Sequence, residues 1–154
     1  MLKFELANSE TIPDVLEMME NFYSLDNYPF DIDKNEKNLK VFISNPELGR
    51  LWIIKFENQI AGYICLTFGF SFEFGGRVAF IDEFFIKEEF RNKGIGQQTM
   101  DLIENESMDL EVKSILLEVE KHNKTGNKLY LNKGYVDTGR HLLTKSVNIM
   151  KVEN

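Results

Sequence analysis

The residues Arg91-Asn92-Lys93-Gly94-Ile95-Gly96 sit between an apolar run, Phe80–Ile86, and the start of a helical pattern. A strand that delivers the chain into a two-glycine turn and then into a helix builds a seat for an anion. The first N–H groups of the helix have no partner inside it and that end carries partial positive charge, so it accepts a phosphate or pyrophosphate. Glycine at 94 and 96 keeps a Cβ out of the way, and Arg91 and Lys93 can add charge-assisted hydrogen bonds. The hexapeptide alone does not single out a ligand, because glycine-bearing turns before helices are common. Gly94-Ile95-Gly96-Gln97-Gln98-Thr99 starts like a dinucleotide fingerprint but lacks its third glycine, and no Gly-Lys-Ser/Thr follows to make a P-loop.

Two carboxylates, Asp82 and Glu83, are consecutive in a strand-like run and are expected on opposite faces, one toward a substrate and the other toward solvent or a partner subunit. The same alternation puts Asp82 with Phe84 and Ile86. Tyr130 falls on a helical stretch and by spacing alone reads first as a half-buried packing residue and second as a phenol, unperturbed pKa ~10, able to donate at neutral pH. Cys65 lies inside the strand-like run Ile60–Phe70 and reads as a buried, inert thiol. No Ser-His-acid or Cys-His arrangement offers a covalent route. With two His and one Cys a structural zinc site is not expected, and no metal is assigned. His122 and His141 receive no role.

These residues need elements to hold them. Leu2, Phe4 and Leu6 alternate as a first strand; Thr11–Tyr23 carries Ile12, Val15, Leu16, Met19 and Phe22 at helical spacing, with Asn8-Ser9 as caps and Pro13 in the first turn. Ser24–Phe30 reads as a loop and Asp33–Ser44 as a second helix that Asn45-Pro46 stops. Arg50–Phe56 and Gln59–Phe70 pair around Glu57-Asn58, and Gly75-Gly76 marks a hairpin between Phe70–Phe74 and Arg77–Ile86. Ile95–Met108 is amphipathic, Val112–Val119 is a strand of the parallel type, and Asn123–Asn132 is a short helix. Tyr135–Asp137 and Leu142–Ile149 look like closing strands. The order predicts an α/β (α+β) fold, a mixed and mostly antiparallel sheet with one parallel pair and helices on both faces.

At 154 residues, 43% of them hydrophobic and 13 of them Phe, the chain is expected to form one domain, residues 1–154, around a packed core. A net charge of −7 argues against nonspecific nucleic-acid binding. The single Cys fits a reducing compartment, and no apolar run is long enough to span a bilayer, so a cytoplasmic protein without a membrane partner is expected.

With these motifs in order, the chain resembles the GNAT acetyltransferase superfamily. Arg91-Asn92-Lys93-Gly94-Ile95-Gly96 matches the family's Arg/Gln-x-x-Gly-x-Gly/Ala pyrophosphate motif. Asn123, then Tyr130, then Gly134-Tyr135 match a second pattern, and Ile81-Asp82-Glu83-Phe84-Phe85-Ile86 resembles the fourth strand of polyamine acetyltransferase-like members. The resemblance covers nearly the whole chain in element order and is specific across Phe80–Tyr135. It implies acetyl-CoA as co-substrate and a primary amine of a small molecule or peptide as acceptor, by direct attack. Within it, Phe84, Phe85 and Ile86 offer backbone to the thioester, Tyr130 is the proton donor to the departing thiolate, and Asn123 meets the pantetheine arm or caps its helix. Asp82 corresponds to the acidic position that binds or deprotonates the amine, usually Glu in the family, so a water can bridge for the shorter Asp. Glu83, Glu73 and Tyr28 are further acceptor candidates. Gly126 stands where the family often has Ala or Ser, weakening its helix by roughly 1 kcal/mol or letting the cofactor approach. Frequent dimers in the family imply a homodimer. The alternative function is a CoA-binding sensor or assembly module without catalysis.

Overall fold

A computed structural model describes residues 1–147. The chain runs β1 (Leu2–Leu6), α1 (Ile12–Leu25), α2 (Ile32–Ser44), β2 (Gly49–Phe56), β3 (Gln59–Ser71), β4 (Gly76–Ile86), α3 (Ile95–Asp109), β5 (Ser114–Leu117) and α4 (Lys124–Asn132). The entry to α1 is set by Asn8, whose Oδ1 accepts the N–H of Glu10 at 2.9 Å and of Thr11 at 3.2 Å. Asp31 caps α2 by accepting the N–H of Lys34 at 3.1 Å.

The five strands lie in sequence order. The first four pair antiparallel, and β5 returns parallel to β4 through α3. This is the expected mixed sheet. One face packs Val15, Met18 and Leu39 of α1 and α2 against Ile53, Tyr63 and Phe85. The other packs Met100 and Ile103 of α3 against Trp52, Ile64, Leu66 and Ile81, with Leu129 and Tyr130 of α4 alongside. Full burial of each such side chain stabilises the fold by about 1.5–3 kcal/mol before the entropy of ordering it.

Two findings correct the sequence expectations. Pairing between β3 and β4 jumps from Cys65↔Glu83 to Leu66↔Ile81, so Asp82 is an extra residue, a β-bulge. Before it, Ala79 and Ile81 face α3. After it, Phe84 and Ile86 face α3, while Phe85 faces α1. Simple alternation through Asp82 therefore fails: Asp82 does not share a face with Phe84 and Ile86, and its charge acts on Tyr23 and Cys65, on the α1 side, as does that of Glu83.

The second correction concerns the closing strands. Residues 135–147 form no strand, and Ile149 lies outside the described residues. A turn at Gly139, φ 72°, whose N–H bonds the Asp137 carboxylate at 2.8 Å, bends this segment, and Arg140 pairs with Glu73 on the β3–β4 hairpin at 2.9 Å. Leu142, Leu143 and Val147 stay exposed.

Candidate active site

The two-glycine turn takes the form its sequence requires. After a 3₁₀ turn at Glu88–Phe90, Asn92 and Gly94 adopt left-handed φ of 61° and 77°, and α3 starts at Ile95. The first intrahelical bond in this turn runs from the Gln98 N–H to the Gly94 carbonyl, which leaves the N–H groups of Ile95, Gly96 and Gln97 free of intrahelical partners. Among the described residues no side chain caps this end. Arg91 folds back, its Nε donating to the Ile86 carbonyl at 3.0 Å, and so ties the turn to the end of β4. Arg91, Asn92 and Lys93 are all exposed.

The glycines do different work. A Cβ on Gly94 would meet nothing within 4 Å, so its backbone angle is the reason for glycine. A Cβ on Gly96 would come 3.2 Å from Leu129 Cδ2, so glycine there lets α4 lie close against the first turn of α3.

Beside this turn the sheet splits. β5 pairs with β4 only from Val78↔Ser114 to Ile81↔Leu117, and β4 continues to Ile86 with no strand on that edge among the described residues. The backbone of Phe84, Phe85 and Ile86 thus lies where the parallel pair has ended. Tyr130 packs by the split, in the cluster that holds Ile81, Phe84 and Leu117, with its ring edge-on to Tyr135 at 5.8 Å. Burial pushes its phenol up to about 12, so it is fully protonated at neutral pH.

The carboxylates differ sharply. Glu83 is half-buried and accepts the hydroxyls of Tyr23, from α1, at 2.5 Å and of Tyr63, from β3, at 2.9 Å. Burial raises its pKa, the two hydroxyls oppose that, and Asp82 adds to it. Asp82 keeps contact with solvent and has no hydrogen-bond partner among the described residues; crowding by its neighbours raises its pKa above the ordinary carboxylate value. Cys65, buried below them, is pushed well up by desolvation and both carboxylates, which fits an inert thiol.

The remaining candidates fall at three places. Asn123 caps α4, its Oδ1 accepting the Gly126 N–H at 2.9 Å, which leaves its Nδ2 free of that bond. A Cβ on Gly126 would lie 2.6 Å from that Nδ2, so Gly126 makes room for its own cap. Tyr28, in the α1–α2 loop, donates to Glu120 at 2.7 Å, and Asp26 beside it meets His122 at 3.1 Å; the α1–α2 loop and the loop between β5 and α4 are thereby joined. Glu73 is not brought to the others. It sits on the hairpin tip, at the far end of β4 from Ile86, paired with Arg140. A polar cleft of about 350 Å³ lies between α1 and the glycine turn, lined by Glu17, Asn21, Phe85, Lys87, Glu89 and Arg91. Sequence reasoning missed Tyr23 and Tyr63: each reads locally as an aromatic of a helix or strand, and their shared partner is 60 and 20 residues away.

Among the described residues no three His, Cys, Asp or Glu side chains converge as metal ligands, and no helix is long and apolar enough to cross a membrane.

A model of the Acetyltransferase (GNAT) family matches residues 15–135. An uncharacterized N-acetyltransferase of Bacillus subtilis (strain 168), YycN, is 29% identical over 89 residues, 57% of this chain and 56% of that protein. The chain thus matches a little over half the length of this curated relative. An integron cassette protein, HFX_CASS3, from the mobile metagenome of Cole Harbour Salt Marsh superposes with a TM-score of 0.84 at 30% identity, covering 94% of this chain and 90% of that one. The fold is also that of a predicted acetyltransferase of Clostridium acetobutylicum, whose crystal structure is with acetyl-CoA: TM-score 0.79, 22% identity, 94% of this chain and 96% of that one.

Proposed function

The chain belongs to the acetyltransferase (GNAT) family, and from that premise we propose that it moves an acetyl group from acetyl-CoA to a primary amine of a small molecule or peptide. One observation carries this reading: the uncapped first turn of α3 opens beside the place where β4 loses its parallel neighbour, and a protonated phenol packs there. The residues fit the co-substrate. Arg91, Asn92, Lys93, Gly94, Ile95 and Gly96 would hold its pyrophosphate with backbone N–H groups and cations, Asn123 Nδ2 would donate to the pantetheine arm, and the free edge at Phe84, Phe85 and Ile86 would receive the thioester. The acetyl-CoA complex of the Clostridium acetobutylicum protein supports the assignment by fold.

Chemistry then needs proton traffic and a polarised carbonyl. Asp82 takes the proton of the acceptor ammonium, directly or through one water, and releases it to solvent. A backbone N–H of the free β4 edge polarises the thioester carbonyl as the amine nitrogen attacks its carbon. Tyr130 donates its proton to the sulfur as the C–S bond breaks, and the nitrogen's second proton returns to the phenolate, directly or through water, so that a neutral amide and free CoA thiol leave. Burial holds the phenol up to about 12, so it carries its proton at neutral pH when the sulfur departs. Glu83 and Tyr28 border the acceptor side; Glu73 is too far along β4 to join them.

We also propose a homodimer, supported by the exposed Leu142, Leu143 and Val147 and by the outer edge of the short β5. A cytoplasmic setting suits the buried, reduced Cys65. The test is release of free CoA thiol from acetyl-CoA across a panel of polyamines, amino acids, aminoglycosides and peptide N-termini. Thiol release that depends on at least one amine is expected. Tight acetyl-CoA binding with no turnover on any amine would instead make this a sensor or assembly module.

A further inference from the structure

Glu83 is the site carboxylate with dedicated donors. Tyr23 holds one oxygen from the last turn of α1 and Tyr63 holds the other from β3, so two elements converge on one side chain. Neither hydroxyl is needed to fill space. The Tyr23 ring is fixed edge-on by Phe30 at 5.5 Å and Phe22 at 6.1 Å, and the Tyr63 ring edge-on by Phe22 at 6.4 Å and tilted against Phe85 at 6.2 Å, contacts that phenylalanine would keep. An apolar residue at 83 would pack the same wall without the desolvation cost of a half-buried carboxylate. The titratable groups that face Glu83 are Tyr23 from α1, Tyr63 and Cys65 from β3, and Asp82 beside it on β4. Among the described residues no Lys or Arg pairs with either carboxylate.

We infer that Tyr23 and Tyr63 are positioning residues that keep Glu83 aimed and anionic, and that Glu83 is the fixed counter-charge for a cationic acceptor. The division of labour follows from the partners. Glu83, with an oxygen held on each side, supplies standing charge. Asp82, on the bulge and without a partner, is free to exchange a proton. The identity of the cation as an acceptor amine rests on the acetyltransferase reading above; the positioning of Glu83 does not.

The experiment follows the Glu83 side-chain carboxyl by ¹³C NMR in the full chain while pH is varied, and then while n-butylammonium is added as the probe. Burial favours the neutral acid and the tyrosine bonds favour the anion, so Tyr23→Phe should move the Glu83 midpoint upward. Tyr63→Phe should do the same, and gives a second arm if either variant folds poorly. Glu83→Gln removes a charge-assisted hydrogen bond to the ammonium and should weaken n-butylammonium binding by roughly ten- to a hundredfold, and each Phe variant should weaken it in the same direction by less. An unmoved midpoint in folded Tyr23→Phe, or unchanged n-butylammonium affinity in Glu83→Gln, overturns the inference. Both readouts stand without turnover, so failure of the amine panel would count against the acetyltransferase reading and leave this one to be decided on its own.

Discussion

Replacing Gly126 with alanine should not stabilise α4, although helix propensity says it should. Gly126 is the third residue of the helix after the Asn123 cap. On propensity alone, Gly126→Ala gains up to about 1 kcal/mol. The structure sets a cost against it. The added Cβ would sit 2.6 Å from Nδ2, 2.9 Å from Cγ and 3.0 Å from Oδ1 of Asn123. The amide must swing away, and its 2.9 Å bond to the Gly126 N–H is then lost. A lost Asn cap costs about 1 kcal/mol. The two effects cancel, and Gly126→Ala in the natural chain should change stability by only a few tenths of a kcal/mol. In an Asn123→Ala background there is no cap to displace, and the same substitution should gain about 1 kcal/mol. Urea unfolding midpoints at constant m-value measure both, and the double-mutant cycle should show a coupling of about 1 kcal/mol. Equal stabilisation in the two backgrounds would refute the claim that Gly126 exists to seat Asn123.

Tyr130→Phe keeps the ring and removes the donor. With the proton donor to the departing sulfur gone, kcat should fall about 10²–10⁴-fold with acetyl-CoA affinity kept. No change with chemistry rate-limiting would remove Tyr130 from the mechanism. Asp82→Asn should raise KM for a cationic acceptor and lower kcat while leaving acetyl-CoA affinity unchanged; intact acceptor kinetics would count against the role given to Asp82. The same variant should be slightly more stable than the natural chain at pH 7. The Asp82 pKa is raised on folding, so the folded state holds that proton more tightly, and the group's favourable contribution at acid pH is lost as pH rises through its folded value. Solvent contact keeps the gain to a few tenths of a kcal/mol. It should vanish below about pH 3, where Asp is neutral folded or unfolded; a less stable Asp82→Asn at pH 7 contradicts the argument.

The frame of the fold was legible where local pattern and packing agree. Ile12, Val15, Leu16 and Met19 fall at helical spacing and are buried on α1, and the run into Arg91–Gly96 and the helix at Ile95 appear in place. The bulge was not legible. Nothing in Ile81-Asp82-Glu83-Phe84 marks it, because it is defined by which β3 residues stand opposite, Cys65 and Leu66. With the bulge went the facing of both carboxylates. The Tyr23–Glu83–Tyr63 arrangement was hidden for the same reason: its members meet only after α1, β3 and β4 have packed. The closing segment failed differently. Leu142, Leu143 and Val147 supply apolar residues, but a strand also needs a partner edge, and here the Gly139 turn and the Arg140–Glu73 pair lead the chain along the hairpin instead.

Calorimetry with acetyl-CoA on the natural chain and on Gly96→Glu tests most directly whether the first turn of α3 is the pyrophosphate seat. The substitution puts a carboxylate into the anion seat and forces bulk toward Leu129, 3.2 Å from the position of the new Cβ. The natural chain should bind acetyl-CoA and folded Gly96→Glu should lose at least tenfold in affinity. Binding of acetyl-CoA by Gly96→Glu with the affinity of the natural chain would contradict it.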